Sequence, residues 1–574
     1  MNTFSYLLKI PIFLFLSFIS CTSCQDQSTE QEQPNVILII CDDLNDSVEG
    51  MGGHSQAKTP NLTRLAQQGI RFTNAHSAAP ICGPSRASFL TGIYPHNSGL
   101  FGHNQNQNAW HNNLVLKNCK PIFEHFADNG YIIFGAGKLF HNNHNTQALF
   151  NRPDSLGEFG NGQEYGPFAW TGYKSDNIYN DLLAHPDIPA NFGGWGFSSF
   201  ASLDNVPVIA ADPENNIPGY SGWYLADYPD GKPYRYVNEN DRDPLPDEMT
   251  ASFAIEKLQQ DHEKPFFLAV GIIRPHSPWH APKEYFDMFP LDGIMPPPYL
   301  ENDLEDCAEE LWYQPNGKKE HRFLKLLDCY DGDEGLRRFI QGYLACVAFA
   351  DAQIGRIIDA LDNSKYSANT IVVVTSDHGY HMGEKNQLFK RTVWEESTRV
   401  PMIFRFPQRK NHGLDCDYPV GLIDLYPTLV DLCGISDNTV RNENGHPLDG
   451  YSLRPLLDDP VNGSWNGPSV ALSCIEAGVP VALNEPGKIE DQQFTVRSRD
   501  WRYVLTRTGA EELYDHRNDP HEWHNLAYDP GYSDIKEELK TELLRMTGRD
   551  ISHSFPFDIP PHIKQITTFG QQAD

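Results

Sequence analysis

Five consecutive aliphatic residues, Val36-Ile37-Leu38-Ile39-Ile40, run almost directly into two carboxylates, Asp42 and Asp43. A strand with no polar alternation has no face to offer water, so both of its faces must be buried. That is the condition of a central parallel strand in a layered α/β sheet. Similar short apolar runs occupy 132–134, 266–270 and 371–374. Helical periodicity separates them: 62–68 reads as a helix stopped by Gly69, and 343–361 carries Leu344, Val347, Ile354, Ile358 and Leu361 along one side. Strands alternating with helices predict an α/β domain whose mostly parallel central sheet is flanked by helices. Ligands in such sheets sit beyond the carboxyl ends of the strands. Asp42-Asp43 and Asp377-His378 both follow strand ends, so two acidic pairs more than 300 residues apart are expected to converge.

Charge narrows the partners. The 574 residues carry 76 acidic and 45 basic side chains, a formal charge of −31. Such a field excludes nucleic acid and an anionic membrane surface as natural partners. An anionic substrate must therefore be captured by local cations. Hydrophobic residues at 40% are enough for a packed core.

The N-terminus reads as an export signal. Lys9 precedes an apolar stretch over 10–19, too short to span a bilayer, and Ser20-Cys21-Thr22-Ser23-Cys24 follows. This is a bacterial lipoprotein layout, with Cys21 as the lipidated residue and Cys24 second. Phe18 stands where leucine is usual, so cleavage by ordinary signal peptidase stays open. The expected location is the periplasm or cell surface, as an outer-membrane lipoprotein or a released protein. Membrane contact is expected only through the lipid.

The predicted organisation is a signal over 1–24, a polar linker over 25–34, a catalytic α/β domain over 35–457, a small α+β domain with antiparallel strands over 458–560, and a tail over 561–574. Between 140 and 249 the chain is rich in Gly, Asn, Pro and aromatics. It reads as long surface loops, or as cleft walls in which Trp170, Trp195 and Trp223 stack on sugar rings. Nine cysteines remain after Cys21 and Cys24, and Cys416 with Cys433 and Cys307 with Cys329 are candidate disulfides.

Three stretches carry the chemistry: Cys82-Gly83-Pro84-Ser85-Arg86 followed by Leu90-Thr91-Gly92, then Asp42-Asp43, then Ser376-Asp377-His378-Gly379 with Gly383-Glu384 and Lys390. Together they resemble the formylglycine-dependent sulfatase family of the alkaline-phosphatase superfamily, over about residues 35 to 530. Gly137-Lys138-Leu139-Phe140-His141 and Arg274-Pro275-His276-Ser277-Pro278 are most similar to its iduronate-2-sulfatase branch.

The resemblance implies an alkaline-phosphatase-like large domain. It implies that a formylglycine-generating or maturase enzyme oxidises Cys82 to an aldehyde that hydrates to a geminal diol. One hydroxyl attacks sulfur; the second, once deprotonated, lets the sulfated intermediate collapse and release sulfate. Asp42, Asp43, Asp377 and His378, with the modified Cys82, are the implied ligands of one divalent cation, calcium first and magnesium second. His378 stands where many sulfatases carry asparagine. Arg86 would hold the formylglycine hydroxyls, while Lys138 and Lys390 would bind sulfate oxygens. His141 would take the proton of the second hydroxyl, and His276 would protonate the leaving alcohol. Arg274, Trp279 and His280 are expected to touch substrate. The expected substrate is a sulfated uronic-acid-containing glycan of ulvan or glycosaminoglycan type. The alternatives are a formylglycine phosphomonoester or phosphonate hydrolase, and a surface glycan-binding lipoprotein with a dead site.

Overall fold

In the computed structural model of the protein, Met1 and residues 33–551 are described, apart from 103–104, 106–108, 142–149, 151–156, 194–195, 228–229, 313–321, 407–411 and 478–484. The expected export signal, Cys21, Cys24 and Trp195 lie outside the described residues.

The unalternated Asn35–Asp42 segment is a strand buried along its whole length, near the middle of a nine-stranded sheet. From one edge the order is Leu414–Cys416, Ile70–His76, Arg399–Arg405, Thr370–Ser376, Asn35–Asp42, Phe266–Pro275, Ile132–Gly137 and Glu158–Phe159. Val420–Gly421 pairs with Ile70–His76 as a ninth strand. All pairings are parallel except those of Arg399–Arg405, which runs against both neighbours. The sheet is thus mixed, and its parallel centre matches the expectation.

The two faces of the first strand fill two separate cores, which is why the sequence cannot alternate. Ile37, Ile39 and Cys41 pack with Leu344, Val347, Ile354 and Ile358 of the Glu334–Asp362 helix. Val36, Leu38 and Ile40 pack with Phe123, Phe126, Tyr426 and Leu429 on the other side. That first helix has 29 residues, starting well before the predicted 343, because Leu336, Phe339 and Ile340 continue its apolar face.

Parallel register does the positioning. Cys41 lies opposite Ser376, so Asp42 and Asp377 leave adjacent strands side by side. On the other flank, a side chain at Gly271 would lie 2.1 Å from the Lys138 carbonyl oxygen. Only glycine there lets the chain leaving Gly137, itself at φ 74°, cross the sheet end and carry Lys138 inward.

A second, antiparallel sheet joins Ala471–Glu476, Gln492–Arg497, Trp501–Leu505 and Glu511–Asp515, with the Ser533–Thr547 helix packed against it. Its Arg502 is fully buried and donates to Glu395 and Glu522, and through Nη1 to the Val393 carbonyl at 3.0 Å. Arg497 adds a 3.0 Å bond to Glu395. Removing one partner of a buried pair strands the other's charge. Arg502→Met is therefore expected to lower stability by about 3–5 kcal/mol in denaturant unfolding; a loss below about 1 kcal/mol would show that water screens this network.

Three expectations are corrected. Cys307, Cys329, Cys416 and Cys433 are all free thiols. Cys307 Sγ lies 3.3 Å from the Asp303 carbonyl, and the Cys433 thiol faces the Tyr131 hydroxyl. The 140–249 region is not only loops, since Glu164–Trp170, Trp223–Asp227, Asp230–Tyr234 and Leu182–Leu183 form a small antiparallel sheet. Trp223 is fully buried, donating to the Leu203 carbonyl at 2.9 Å, so it offers no face to a sugar. Trp170 is half-buried, with its ring stacked on Tyr224 at 4.2 Å. Among the described residues no helix is long and apolar enough to cross a membrane.

Candidate active site

Cys82 opens the Cys82–Thr91 helix and is 1% exposed. Its Sγ lies 3.1 Å from Lys390 Nζ, 3.2 Å from His378 Nε2 and 3.5 Å from Asp42 Oδ1. Burial, and then the Asp42 carboxylate, push the thiol up to about 12. A thiol nucleophile must be a thiolate, and this shift works against that form.

The next helical turn explains the Ser-Arg spacing. Ser85 Oγ donates to the Asp377 carbonyl at 2.5 Å. Arg86, fully buried, donates from Nε to Asp377 Oδ2 at 2.8 Å, from Nη2 to Asp42 Oδ1 at 3.4 Å and from Nη1 to the Lys138 carbonyl at 2.5 Å. One guanidinium ties three separate chain segments to the helix that presents Cys82.

Asp43 has a left-handed backbone at φ 68°, an unusual conformation for a residue with a side chain. Its N–H donates to Asp377 Oδ1 at 3.2 Å and its carbonyl accepts from the Tyr343 hydroxyl at 2.8 Å. Lys138 Nζ lies 2.5 Å from Asp42 Oδ2, and Lys390 Nζ lies 2.5 Å from Asp43 Oδ1. Lys390 rides on a loop in which Lys385, Asn386, Phe389 and Arg391 all have positive φ. Such strain collects at functional sites, where surrounding structure over-determines it.

Ligand atoms of Asp42, Asp43, Cys82 and His378 all lie within 4.8 Å of one another. Asp377 abuts this group, with Oδ1 3.7 Å from His378 Nε2, but its carboxylate is also engaged by Arg86 and the Asp43 N–H. Burial, with Asp42 and Asp377 as like charges, lifts Asp43 to about 7 even against Lys390. Burial lowers His378 to about 4. Its neutral ring donates from Nδ1 to the Gly379 carbonyl at 2.9 Å, which leaves the Nε2 lone pair aimed at the carboxylates. Three buried carboxylates and one neutral imidazole fit a single divalent cation, and mostly oxygen donors suit a hard ion.

His276 completes the ring of polar groups. Nδ1 lies 2.6 Å from the Ser277 carbonyl and must donate to it, so Nε2 faces Asp43 Oδ2 at 3.8 Å. The site thus gathers Asp42, Asp43, Cys82, Arg86, Lys138, His276, Asp377, His378 and Lys390. His141 is half-buried on the chain leaving Lys138.

Arg274, Trp279 and His280 have a different place from the one expected. Each is at most 3% exposed. Arg274 donates to the Gly166, His276 and His280 carbonyls; Trp279 Nε1 donates to the Pro275 carbonyl at 2.6 Å; His280 Nδ1 donates to the Pro167 carbonyl at 2.5 Å. They build the turn that holds His276, and His280 Nε2 is paired as well, with Ser199 Oγ at 2.9 Å. Sequence reasoning missed Tyr343 and Tyr165, which meet the site from a helix and from a strand of the small sheet. No spacing signal marks either, because each arrives through tertiary packing.

Buried acids, two lysines and a helix-borne cysteine thus gather at the carboxyl ends of the central parallel strands of a mixed sheet, an arrangement suited to hydrolysis of an anionic ester. Residues 34–435 match the family described as Sulfatase, and residues 383–549 match that described as N-sulphoglucosamine sulphohydrolase, C-terminal. The chain is 30% identical to a sulfatase of Formosa agariphila over 98% of its own length and 97% of the relative. It is 26% identical to the iduronate 2-sulfatase of Homo sapiens over 88% and 93%. Its fold matches the phosphonate monoester hydrolase of Agrobacterium radiobacter with a TM-score of 0.62 at 23% identity, over 90% and 96% of the two chains. The chain belongs to the sulfatase family and is a sulfuric ester hydrolase.

Proposed function

We propose that the protein hydrolyses sulfate esters on a sulfated uronic-acid-containing polysaccharide or its oligosaccharides, with Cys82 matured to formylglycine. The observation that carries this reading is the place of Cys82, buried at the start of its helix with Sγ against Lys390, His378 and Asp42 in one cluster of candidate metal ligands. The partner this requires is a formylglycine-generating or maturase enzyme.

Asp42, Asp43, Asp377 and His378 would hold the cation, calcium or magnesium, together with the modified Cys82 side chain. When bound, the ion supplies positive charge against the sulfate oxygens. Lys138 and Lys390, each now beside an aspartate, would bind those oxygens and stabilise charge that shifts during transfer. Arg86 keeps Asp42 and Asp377 in place beneath the helix carrying Cys82. His276 is assigned the proton of the leaving alcohol, delivered from Nε2; because Nδ1 already donates to Ser277 this takes the imidazolium, a form that burial disfavours and the Asp42 carboxylate favours, and His141 is assigned the proton of the second formylglycine hydroxyl.

Similarity to an iduronate 2-sulfatase and the Gly-Lys-x-x-His and Arg-Pro-His-x-Pro stretches support the uronate reading. Iduronate occurs in both glycosaminoglycans and ulvan, so the reading covers both. At a charge of −31 the protein repels polyanions at long range, and attraction must come from Lys138, Lys390 and the cation inside a screening length of about 8 Å. Export to the periplasm or cell surface, with a lipid on Cys21, would place the enzyme where polysaccharide arrives.

The test compares kcat/KM on ulvan oligosaccharides, heparan-type disaccharides and an aryl sulfate, with sulfate quantified by ion chromatography. One uronate class is expected to exceed the aryl sulfate by at least about tenfold, equivalent to about 1.4 kcal/mol of transition-state binding. Faster cleavage of sulfated galactans than of either uronate class would refute the substrate. Preference for an aryl phosphate over the matched aryl sulfate would favour the phosphoester alternative.

A further inference from the structure

The His276 imidazole is fastened to its own turn by one hydrogen bond, from Nδ1 to the Ser277 carbonyl. That bond alone does not fix the plane of the ring. Two aromatic rings do. Tyr165 lies with its centroid 5.1 Å from that of His276 at 46°, and Phe197 lies 5.8 Å away at 88°. The two are themselves 5.4 Å apart at 79°, so they form a corner into which the imidazole fits.

Tyr165 also meets Lys138, whose ammonium donates to the Tyr165 hydroxyl and lies 5.5 Å from its ring centroid and 2.5 Å from Asp42 Oδ2. The tyrosine is 6% exposed, and its hydroxyl accepts from the Gln163 amide. The two residues after it bind the same turn through their carbonyls: Gly166 accepts from Arg274 and Pro167 accepts from His280. One edge of the Glu164–Trp170 strand thus holds the base of the His276 turn with its backbone and the imidazole with a side chain.

We infer that Tyr165 is a positioning residue for the hydrolysis, its ring orienting His276 toward the leaving oxygen and its contact with Lys138 steadying that ammonium. The inference rests on the functional reading above, in which His276 protonates the leaving alcohol. Proton delivery demands alignment as well as proximity, and small misplacements cost large factors in rate. The demand is greatest for a poor leaving group, which cannot depart as its anion. It is slight for a good one. Loss of the Tyr165 ring should therefore be felt selectively.

The experiment measures kcat and KM of the matured, metal-loaded enzyme on 4-nitrophenyl sulfate, a good leaving group, and on a sulfated sugar, a poor one. Tyr165→Leu is expected to lower kcat on the sugar sulfate by at least about tenfold more than on the aryl sulfate, with KM changed by less than about threefold. Tyr165→Phe, which keeps the ring, is expected to restore the wild-type ratio between the two substrates. Equal losses on both substrates in Tyr165→Leu, or a ratio in Tyr165→Phe no better than in Tyr165→Leu, would overturn the inference. Should Tyr165→Leu fail to fold, Phe197→Leu removes the other wall of the corner and must show the same selectivity; an unchanged ratio there overturns it equally. A wild type that releases sulfate from neither ester would instead overturn the functional reading, and this inference with it.

Discussion

Cys82→Ala is expected to lower turnover by at least about a thousandfold while the protein stays folded. The residue is buried at the start of the Cys82–Thr91 helix, and alanine at that position keeps the helix and leaves Ser85 and Arg86 in their bonds to Asp377. The loss would thus be chemical. Cys82→Ser is the sharper case, because serine supplies one hydroxyl where a hydrated aldehyde supplies two. It can be sulfated, but it has no second hydroxyl through which to release the group. At most one sulfate-ester bond per enzyme should be broken, and the sulfate should stay on the peptide containing residue 82. Mass spectrometry of that peptide checks both halves: formylglycine in the wild type from a host with the maturase, and a retained sulfate in the serine variant. Multiple turnovers near the wild-type rate in Cys82→Ser would sink the mechanism.

Chelation is expected to abolish activity and lower thermal stability together. Asp42, Asp43 and Asp377 are all buried, and burial with like-charge repulsion lifts Asp43 to about 7. A cation bound by the native state alone would relieve that repulsion and stabilise the fold, by about 2.7 kcal/mol at a hundred times its Kd. Asp42→Asn should reproduce the loss of activity and remove the calcium-dependent rise in Tm. Differential scanning calorimetry with and without calcium, beside assays of the same samples, reads both effects. Full activity in a verified metal-free sample would contradict the ligand assignment for Asp42, Asp43, Asp377 and His378.

Much of the site was legible because its residues cluster in short stretches. Cys82 and Arg86 are one helical turn apart, and that spacing by itself puts both on one side of a helix. Asp42-Asp43 and Asp377-His378 were placed by the rule that ligands gather at strand ends, and the pairing of Cys41 with Ser376 carries that out. The misreadings have a common cause. Arg274, Trp279 and His280 sit beside His276 in sequence, but the side chains of a tight turn can point inward as easily as toward a ligand. Trp223 lies in a stretch with weak periodicity, yet it pairs with Tyr234 and its ring packs against His185 and His280 in the main core.

The sequence by itself determined the two-sided burial of the first strand and the layered α/β class, since these follow from local pattern, and through its motifs the resemblance to the sulfatase family. Tertiary structure alone decided the antiparallel Arg399–Arg405 strand, the free state of the four cysteines, and the enclosure of His276 by Tyr165 and Phe197. Each of these depends on which distant segments meet, and contact between residues a hundred positions apart leaves no periodic trace in either partner.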